Sequence, residues 1–321
     1  MNILLTGAAG FIGSHLCEKL LADEHRIVGL DNFDEFYSPR TKRDNLSLCL
    51  TNDKFSLVEG DIRDRECVAS VVSGAKIDMI IHLAAKAGVR PSIQNPAVYQ
   101  DVNINGTMNL LEAAREYAIK KFIFASSSSV YGNNTKVPFS ESDNVDYPIS
   151  PYAATKKAGE LICHTYSHLY DIGITCLRFF TVYGPRQRPD LAIHKFSRLI
   201  EAGQPIPVFG DGSMWRDFTY IDDIINGVIR CLHSCDGYKI YNLGESRPVR
   251  LDQLIWEIEK ALDKKAIINQ LPEQPGDVKQ TYADIRKAQK ELGYDPRTEI
   301  QTGLKRFVEW FRGEMRNSDE N

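Results

Sequence analysis

The first residues that could do chemistry are Tyr152 and Lys156, four positions apart in the run YAATK. If this run begins a helix, both side chains lie on one face of it. A positive charge about 4 Å from the phenol, at an effective dielectric constant of about 20, would lower its pKa of about 10 by up to about 3 units. Tyr152 is therefore predicted to act as a general base near neutral pH, with Lys156 as its partner. An ordinary surface pair has the same spacing, so the neighbouring motifs decide.

Four consecutive serines, Ser126 to Ser129, follow a predicted strand over 121–125. A hydroxyl at that strand end can hydrogen-bond the reacting oxygen of a substrate and share its proton with Tyr152. The alternative is a polar turn that closes the strand. Spacing alone does not say which serine acts.

A glycine-rich turn at the start of the chain predicts where a cofactor binds. The apolar run 2–6 is followed by Gly7, Gly10 and Gly13, and then by a helical pattern. In a strand–turn–helix unit these glycines permit the tight turn, the approach of a pyrophosphate and close packing of the helix. Asp31 ends the next strand and is predicted to bind the adenosine ribose and to repel a 2′-phosphate. The pattern favours NAD over NADP, against the alternative of a plain loop and a solvated acid.

The elements that must position these residues alternate between strand and helix through the first half of the chain. This rhythm predicts an α/β fold with a doubly wound parallel sheet (Rossmann) and a second, smaller substrate-binding domain. Because ligands bind beyond the carboxyl ends of such strands, several residues are expected to converge on one cleft. They are Gly7, Asp31, Asp61, Ala84, Ser127 and Thr181.

The domain boundaries follow from a change of pattern after Arg178, where prolines become frequent. We predict an NAD-binding domain over 1–180, with part of 218–246 returning to it. The smaller domain is predicted over 181–321. Long helices are expected over 96–117 and 151–170.

Composition excludes several classes of protein. The chain has 321 residues and a net charge of −4, which gives no electrostatic reason to expect nucleic acid or an anionic membrane as partner. No apolar run is long enough to span a bilayer. Seven scattered cysteines favour reduced thiols and a cytoplasmic location. The histidines form no ligand cluster, so no metal site is predicted.

Motifs along nearly the whole chain resemble the extended short-chain dehydrogenase/reductase family, in its nucleotide-sugar epimerase branch. They include TGAAGFIG, GDIRD, HLAAKAGVR, SSSSVYG, SPYAATK, RFFTVYGPRQRPD and RDFTYIDD. The resemblance implies tightly held NAD, a UDP-sugar substrate and a homodimer. The cofactor-binding positions that it implies are Gly7, Gly10, Phe11, Ile12, Gly13, Asp31, Asn32, Asp61, Ile62, Leu83, Ala84, Ala85, Lys86, Asn103, Tyr152 and Lys156.

The same resemblance implies roles around the sugar. The catalytic hydroxyl falls on Ser127, beside Ser128, and Ser129 is a second sugar contact. Tyr152 is the base. The arginine that binds phosphate falls on Arg216, and the acid that binds the uridine ribose falls on Asp277. Many members have an arginine three residues before that acid, where this chain has Gln274, so Arg90 is a candidate for the missing diphosphate contact.

Two positions predict the substrate. Members that dehydrate or decarboxylate the sugar carry an acid just before VYG, where this chain has Ser129, which favours plain C4 epimerisation. The segment from Thr181 to Asp190 is most similar to UDP-glucuronate 4-epimerases. Arg188 can hold a carboxylate with two parallel hydrogen bonds, and Thr181 can donate a third.

The alternatives are a 4-epimerase of UDP-glucose or UDP-N-acetylglucosamine, with Arg188 idle, and, with less support, a UDP-glucuronate decarboxylase or 4,6-dehydratase. A non-catalytic NAD sensor is a further alternative. Retention of the tyrosine, the lysine and the serines counts against it.

Overall fold

The computed structural model describes residues 1–272 and 280–319. Its strands are β1 Asn2–Thr6, β2 Arg26–Asp31, β3 Phe55–Glu59, β4 Met79–His82, β5 Lys121–Ser127, β6 Gly173–Phe179, β7 Thr181–Tyr183, β8 Pro205–Phe209, β9 Trp215–Arg216, β10 Phe218–Tyr220, β11 Tyr238–Leu243, β12 Val249–Arg250 and β13 Ile267–Leu271. Its α-helices are α1 Phe11–Ala22, α2 Pro39–Asn45, α3 Ser47–Leu50, α4 Arg65–Gly74, α5 Val89–Gln94, α6 Pro96–Gln100, α7 Gly106–Glu116, α8 Pro151–Tyr170, α9 Ala192–Glu201, α10 Ile221–Cys231, α11 Leu251–Leu262, α12 Arg286–Leu292 and α13 Ile300–Asp319.

The central sheet confirms the predicted doubly wound parallel fold. Across the described ranges it has seven strands in the order β11-β6-β5-β4-β1-β2-β3. All neighbouring pairs run parallel. The order reverses at β1, which has β2 on one side and β4 on the other. A cleft forms at such a reversal, beyond the carboxyl ends of the strands, because the crossover helices diverge to opposite faces.

Each face of the sheet is covered by its own apolar layer. Within β1, Ile3 and Leu5 belong to one buried cluster and Leu4 to the other. Successive side chains of a strand point to opposite faces, and all three are fully buried. A strand buried on both faces reads as a continuous apolar run rather than as an alternating one, as β1 does.

The chain beyond β6 contributes to the central sheet and to smaller sheets. β11 pairs with β6, so that Ile240 lies opposite Cys176. The described residues also form three two-stranded sheets, β10 with β7, β12 with β9, and β13 with β8. No helix in the described ranges has both the length and the apolar character needed to cross a bilayer.

The helix predicted over 96–117 is interrupted. Residues Asp101–Asn105 form a wide π turn between α6 and α7. Within it the Asn103 side chain donates to the carbonyl oxygen of Lys86 and to Thr155 Oγ1, both at 3.0 Å. Its Oδ1 accepts from the Lys86 backbone N–H at 2.9 Å. The side chain thus ties this turn to the loop after β4. Helical periodicity in the sequence carries no sign of such a turn.

Candidate functional site

A cleft of about 500 Å³ lies beyond the carboxyl ends of β1, β2, β4 and β5. It contains most of the residues that the sequence assigned to a cofactor and to catalysis. These are Gly7, Gly10, Phe11, Ile12, Gly13, Asp31, Asn32, Asp61, Ile62, Leu83, Ala84, Ala85, Lys86, Ser127, Tyr152, Lys156 and Arg188. Residues from distant parts of the sequence therefore meet in one place, as the strand order requires.

The glycine turn leaves room for a ligand because side chains cannot occupy it. Gly7 has φ 71°, a left-handed conformation, and its N–H donates to the Leu30 carbonyl at 2.8 Å. A Cβ on Gly13 would lie 2.0 Å from the Gly7 carbonyl oxygen, which shows how closely α1 packs on the turn. Gly10 precedes α1 and offers no side-chain cap, so the first N–H groups of that helix keep no side-chain partner. These features fit a dinucleotide pyrophosphate.

Asp31 is held in a fixed orientation at the end of β2. Its carboxylate accepts hydrogen bonds from the backbone N–H groups of Ala9 at 3.0 Å and Phe33 at 2.9 Å. Burial raises the pKa of the Asp31 carboxyl, and these two hydrogen bonds oppose that rise. Since a carboxylate has more lone pairs than two donors can use, Asp31 keeps acceptor capacity towards the cleft.

A second acid stands at the far wall of the cleft. Arg63 donates to both oxygens of Asp61, at 3.0 and 2.8 Å, and lowers the pKa of that carboxyl to about 2. Asn32 also donates to Asp61, at 2.9 Å. Asp61 is therefore an ionised acceptor. Asn103, in contrast, is only 2% exposed and reaches the cleft through the Lys86 backbone that it holds.

The start of α8 positions Tyr152 and Lys156. Ser150 caps the helix by accepting from the Ala153 N–H at 3.2 Å, and Pro151 occupies the first turn. Lys156 is 4% exposed, and its Nζ donates to the Ala125 carbonyl oxygen at 2.7 Å. Burial lowers the pKa of Lys156 to about 8.

The electrostatics of Tyr152 differ from the sequence expectation. Burial raises the pKa of the phenol, while a hydrogen bond with Ser127 and the positive charge of Arg188 lower it. Lys156 is directed to the end of β5 by its bond to Ala125. The positive charge that lowers the pKa of Tyr152 in this structure is that of Arg188.

The four serines have different surroundings. Ser126 also lines the cleft, but its Oγ donates to Glu160 at 2.6 Å. Ser127 is 8% exposed and lines the cleft, and its Oγ accepts from the Ser129 N–H at 3.1 Å. Ser128 and Ser129 lie in a short 3₁₀ turn over Ser128–Tyr131, are half-buried and are not among the residues that line the cleft. The geometry therefore favours Ser127 as the hydroxyl beside Tyr152.

Arg188 lines the cleft from the loop between β7 and α9. Its Nε and Nη2 donate to the two oxygens of Asp190, at 2.9 and 2.7 Å. Its guanidinium carbon lies 5.1 Å from the centre of the Phe36 ring. The side chain is thus fixed by a stacking contact on one side and by an ion pair on another.

Of the remaining residues assigned to substrate, the structure describes Thr181, Arg90 and Arg216, and none of these three is among the residues that line the cleft. Thr181 begins β7 and is half-buried, and its N–H donates to the Asp217 carbonyl at 3.0 Å. Arg90 is exposed and stacks on Phe209 at 4.4 Å. Arg216 lies in β9, which pairs with β12. Asp277 and Gln274 lie outside the described residues.

Sequence reasoning missed the segment between β2 and α2. Phe36, Tyr37 and Lys42 line the same cleft, and the Tyr37 hydroxyl is buried with no hydrogen-bond partner among the described residues. Their proximity in sequence to Asp31 was the only signal, because a loop carries no periodicity that would place its side chains. No group of acidic, histidine and cysteine side chains within the described ranges has the arrangement of a metal site.

Comparison with known proteins agrees with this geometry. The family model described as GDP-mannose 4,6 dehydratase matches residues 4–307. UDP-glucuronate 4-epimerase 3 of Arabidopsis thaliana is 44% identical over 331 residues, covering 97% of this chain and 76% of that protein. A crystal structure of UDP-glucuronic acid 4-epimerase from Bacillus cereus, in complex with UDP-glucuronic acid and NAD, has a TM-score of 0.93 and 39% identity, covering 98% of this chain and 100% of the other.

A structure of UDP-glucose 4-epimerase from Thermotoga maritima with UDP-glucose is also similar. Its TM-score is 0.90 at 34% identity, covering 98% of this chain and 100% of the other. The resemblance inferred from the sequence motifs is confirmed by a family model that spans nearly the whole chain and by relatives that align with 97–98% of it. The chain belongs to the GDP-mannose 4,6 dehydratase family of extended short-chain dehydrogenase/reductases.

Proposed function

We propose that this protein is an NAD-dependent 4-epimerase that converts UDP-glucuronate to UDP-galacturonate through a transient 4-keto sugar, without decarboxylation. The observation that carries the proposal is the presence of Arg188 in the same cleft as Tyr152 and Ser127. Relatives named UDP-glucuronate 4-epimerases support it, as does the related structure that holds UDP-glucuronic acid and NAD.

The cofactor is held by the glycine turn, by Asp31 and by the loop after β4. The first N–H groups of α1 bind the pyrophosphate. Asp31 accepts hydrogen bonds from the adenosine ribose, and its charge disfavours a 2′-phosphate. Bound NAD supplies a reversible hydride acceptor for C4 of the sugar, so it is regenerated in each cycle and stays bound. Asn103 keeps the Lys86 backbone in place through two hydrogen bonds and is itself held by a third, to Thr155.

In each cycle, one proton passes from the sugar to Tyr152 and then back from Tyr152 to the sugar. Tyr152 accepts the proton of the C4 hydroxyl and later returns it to the C4 oxygen, after the 4-keto sugar has presented its other face to the cofactor site. Ser127 shares a hydrogen bond with the phenol and so positions the reacting oxygen. Lys156, held on the Ala125 carbonyl, keeps a positive charge behind the site. Ser128 and Ser129 follow Ser127 in the 3₁₀ turn, and Ser129 is assigned to a second contact with the sugar.

The sugar carboxylate is bound by Arg188, with Thr181 as a further donor. A 4-keto uronate is a β-keto acid, which loses CO₂ when the bond to the carboxylate stands perpendicular to the carbonyl plane. Two hydrogen bonds from one guanidinium fix the plane of a carboxylate and so prevent that alignment. Arg216, Arg90 and Asp277 are assigned to the diphosphate and uridine.

A second candidate is a 4-epimerase of a neutral sugar such as UDP-glucose. The ion pair of Arg188 with Asp190 favours it, because one edge of the guanidinium is already occupied. The similar structure with UDP-glucose is further support. A decarboxylase or dehydratase is disfavoured by Ser129, which offers no acid for C5 chemistry.

We also propose the organisation of the whole protein. Residues 1–180, joined by part of 218–246, form the NAD-binding domain, and 181–321 form the UDP-sugar-binding domain. A homodimer would pair the face of α8 that carries exposed Leu161 and Leu169, which are 57% and 60% exposed. A cytoplasmic location agrees with seven free cysteines.

Proton NMR of UDP-glucuronate with the purified protein and no added cofactor tests the proposal. Growth of the galacturonate H4 signal at constant total uronate would support it and would show that NAD copurifies. Release of CO₂ with formation of a UDP-pentose would overturn the reading of Ser129. Conversion of UDP-glucose, with UDP-glucuronate unchanged, would favour the neutral-sugar epimerase.

The Arg188→Ala variant tests whether Arg188 binds the carboxylate of the sugar. We expect weaker binding of UDP-glucuronate together with release of UDP-pentose. If neither occurs, Arg188 does not hold the carboxylate.

A further inference from the structure

One edge of the Arg188 guanidinium is taken by a carboxylate of the protein itself. Nε and Nη2 donate to Asp190 at 2.9 and 2.7 Å, which is the parallel geometry that an arginine offers to any carboxylate. Nη1 makes no hydrogen bond to any of the described residues. A guanidinium has five N–H groups, so a second carboxylate can still bind the end formed by Nη1 and Nη2.

The two members of this pair face different surroundings. Arg188 lines the cleft that also contains Tyr152, whereas Asp190 is not among the residues of the cleft wall. Their side chains are 18% and 39% exposed, so the carboxylate lies on the side nearer to solvent. The positive charge thus faces the ligand, and its counter-charge stands behind it.

The Arg188 guanidinium also has a contact that does not involve Asp190. The Phe36 ring, whose centre lies 5.1 Å from the guanidinium carbon, provides an independent stacking contact. What Asp190 adds is negative charge. It offsets the charge of Arg188 and repels any further carboxylate that binds the same guanidinium.

We infer that Asp190 is a specificity-determining residue that limits how tightly the cleft holds a sugar carboxylate. The inference rests on the proposed function, because it needs Arg188 to bind the uronate. Epimerisation requires the 4-keto sugar to leave its first orientation and to present its other face. A guanidinium already half neutralised by Asp190 releases the carboxylate for that step, whereas an uncompensated one would retain it.

Replacing Asp190 by asparagine removes the charge and keeps the shape. Kd values for UDP-glucuronate and UDP-glucose should be measured by calorimetry in a Tyr152→Phe background, where the substrate is not turned over. In a half-exposed site, we expect Asp190→Asn to lower the Kd for UDP-glucuronate about five- to tenfold and to leave the Kd for UDP-glucose within about twofold. The gain should shrink at about 1 M salt, where charges are screened over about 3 Å.

Turnover provides a readout that a purely structural role would not give. With Tyr152 intact, Asp190→Asn should lower both KM and kcat for UDP-glucuronate, because tighter binding is coupled to slower release. The matched control is Glu18→Gln, which breaks an ion pair of 2.7 Å with Arg186 on the same loop but outside the cleft wall. Glu18→Gln should leave both Kd values unchanged.

The results that would overturn the inference on Asp190 differ from the result that would overturn the proposed function. Unchanged or weaker binding of UDP-glucuronate by Asp190→Asn would overturn the inference and would make Asp190 a support for Arg188. Equal tightening for both sugars would also overturn it, because the effect would then act on the diphosphate. If the protein with Tyr152 intact does not epimerise UDP-glucuronate, the proposed function fails, while the Kd comparison still tests Asp190.

Discussion

At the scale of single residues, the surroundings of Tyr152 shift the pKa of its phenol in opposite directions. Burial favours the neutral phenol, and Arg188 and Ser127 favour the phenolate. A general base works in its deprotonated form, so activity rises with pH through its pKa. The pH dependence of the reaction therefore reports how far Arg188 compensates for burial.

We predict that Arg188→Ala moves the acidic limb of the kcat/KM profile to higher pH, because loss of the positive charge raises the pKa of Tyr152. The profile of kcat/KM against pH, which reports ionisations of the free enzyme, is the measurement. Arg186→Ala is the control on the same loop, since Arg186 pairs with Glu18 instead. An acidic limb that does not move would show that Arg188 does not act on the phenol.

Glu245 gives a prediction on stability. It is 6% exposed, both its carboxyl oxygens have no hydrogen-bond partner among the described residues, and burial raises the pKa of the carboxyl to about 8. In the unfolded chain a glutamate ionises near about 4.3. The folded state thus keeps a proton that the unfolded state has lost, and stability falls as the pH rises from about 4.3 to about 8.

Glutamine cannot ionise, so the Glu245→Gln variant should not lose stability through this group as the pH rises. The free energy of unfolding of the variant, relative to the unaltered protein, should increase between pH 5 and pH 8 and then level off. Denaturant titrations at several pH values measure it, and Glu66→Gln controls for the loss of one exposed carboxylate. A difference that is independent of pH would show that Glu245 is ionised in the folded protein.

At the scale of elements, the glycine turn and α1 form one unit. A Cβ at Gly13 would stand 2.0 Å from the Gly7 carbonyl oxygen, so α1 would have to move away from β1. Such a movement shifts the N–H groups that bind the pyrophosphate.

We therefore predict that Gly13→Ala costs about 2 kcal/mol or more of stability and abolishes copurification of NAD. Thermal unfolding and the absorbance of released nucleotide are the measurements. Gly313→Ala is the matched control, because its Cβ meets nothing within 4 Å and it lies in α13, where alanine is favoured by about 0.5–1 kcal/mol. Full NAD content in Gly13→Ala would contradict the proposed role of the turn.

At the scale of the whole molecule, a buried network joins distant segments beneath the cleft. Arg178 donates twice to Glu160, each time at 2.8 Å, and once to the Tyr131 hydroxyl at 3.0 Å. Tyr131 donates to Asn242, which in turn donates to the Asp284 carbonyl. The network thus connects α8, β6 and β11 with the segment before α12.

Breaking this network should be costly. The side chains of Arg178 and Glu160 are 1% and 0% exposed. Removal of one partner leaves the other charge buried without compensation, so Arg178→Met should lower the free energy of unfolding by about 3–5 kcal/mol. The double variant Arg178→Met/Glu160→Leu should be less destabilised than the single one. Urea unfolding is the measurement. Arg65→Met, at an exposed pair with Glu116, should cost less than about 1 kcal/mol.

The architecture could be predicted from sequence because strands such as β1 and β4 are largely apolar runs that end in a polar residue, and because strands and helices alternate. These patterns also predicted that Gly7, Asp31, Asp61, Ala84 and Ser127 meet in one cleft, because parallel strands share a carboxyl edge, whereas Thr181 is not among the lining residues. Sequence patterns did not predict the contacts that side chains in loops make. The Arg188–Asp190 pair, the Phe36 stack and the Asn103 turn depend on side-chain directions that no periodicity encodes.

The place of β11 at the edge of the central sheet has a consequence for synthesis. Its partner β6 ends at Phe179, whereas β11 does not begin until Tyr238. While the intervening residues are still being translated, β6 presents an open edge, with unpaired N–H and carbonyl groups that neighbouring chains could pair with. Nascent chains stalled before Tyr238 would therefore be the ones that most require a chaperone, because only later residues cover that edge.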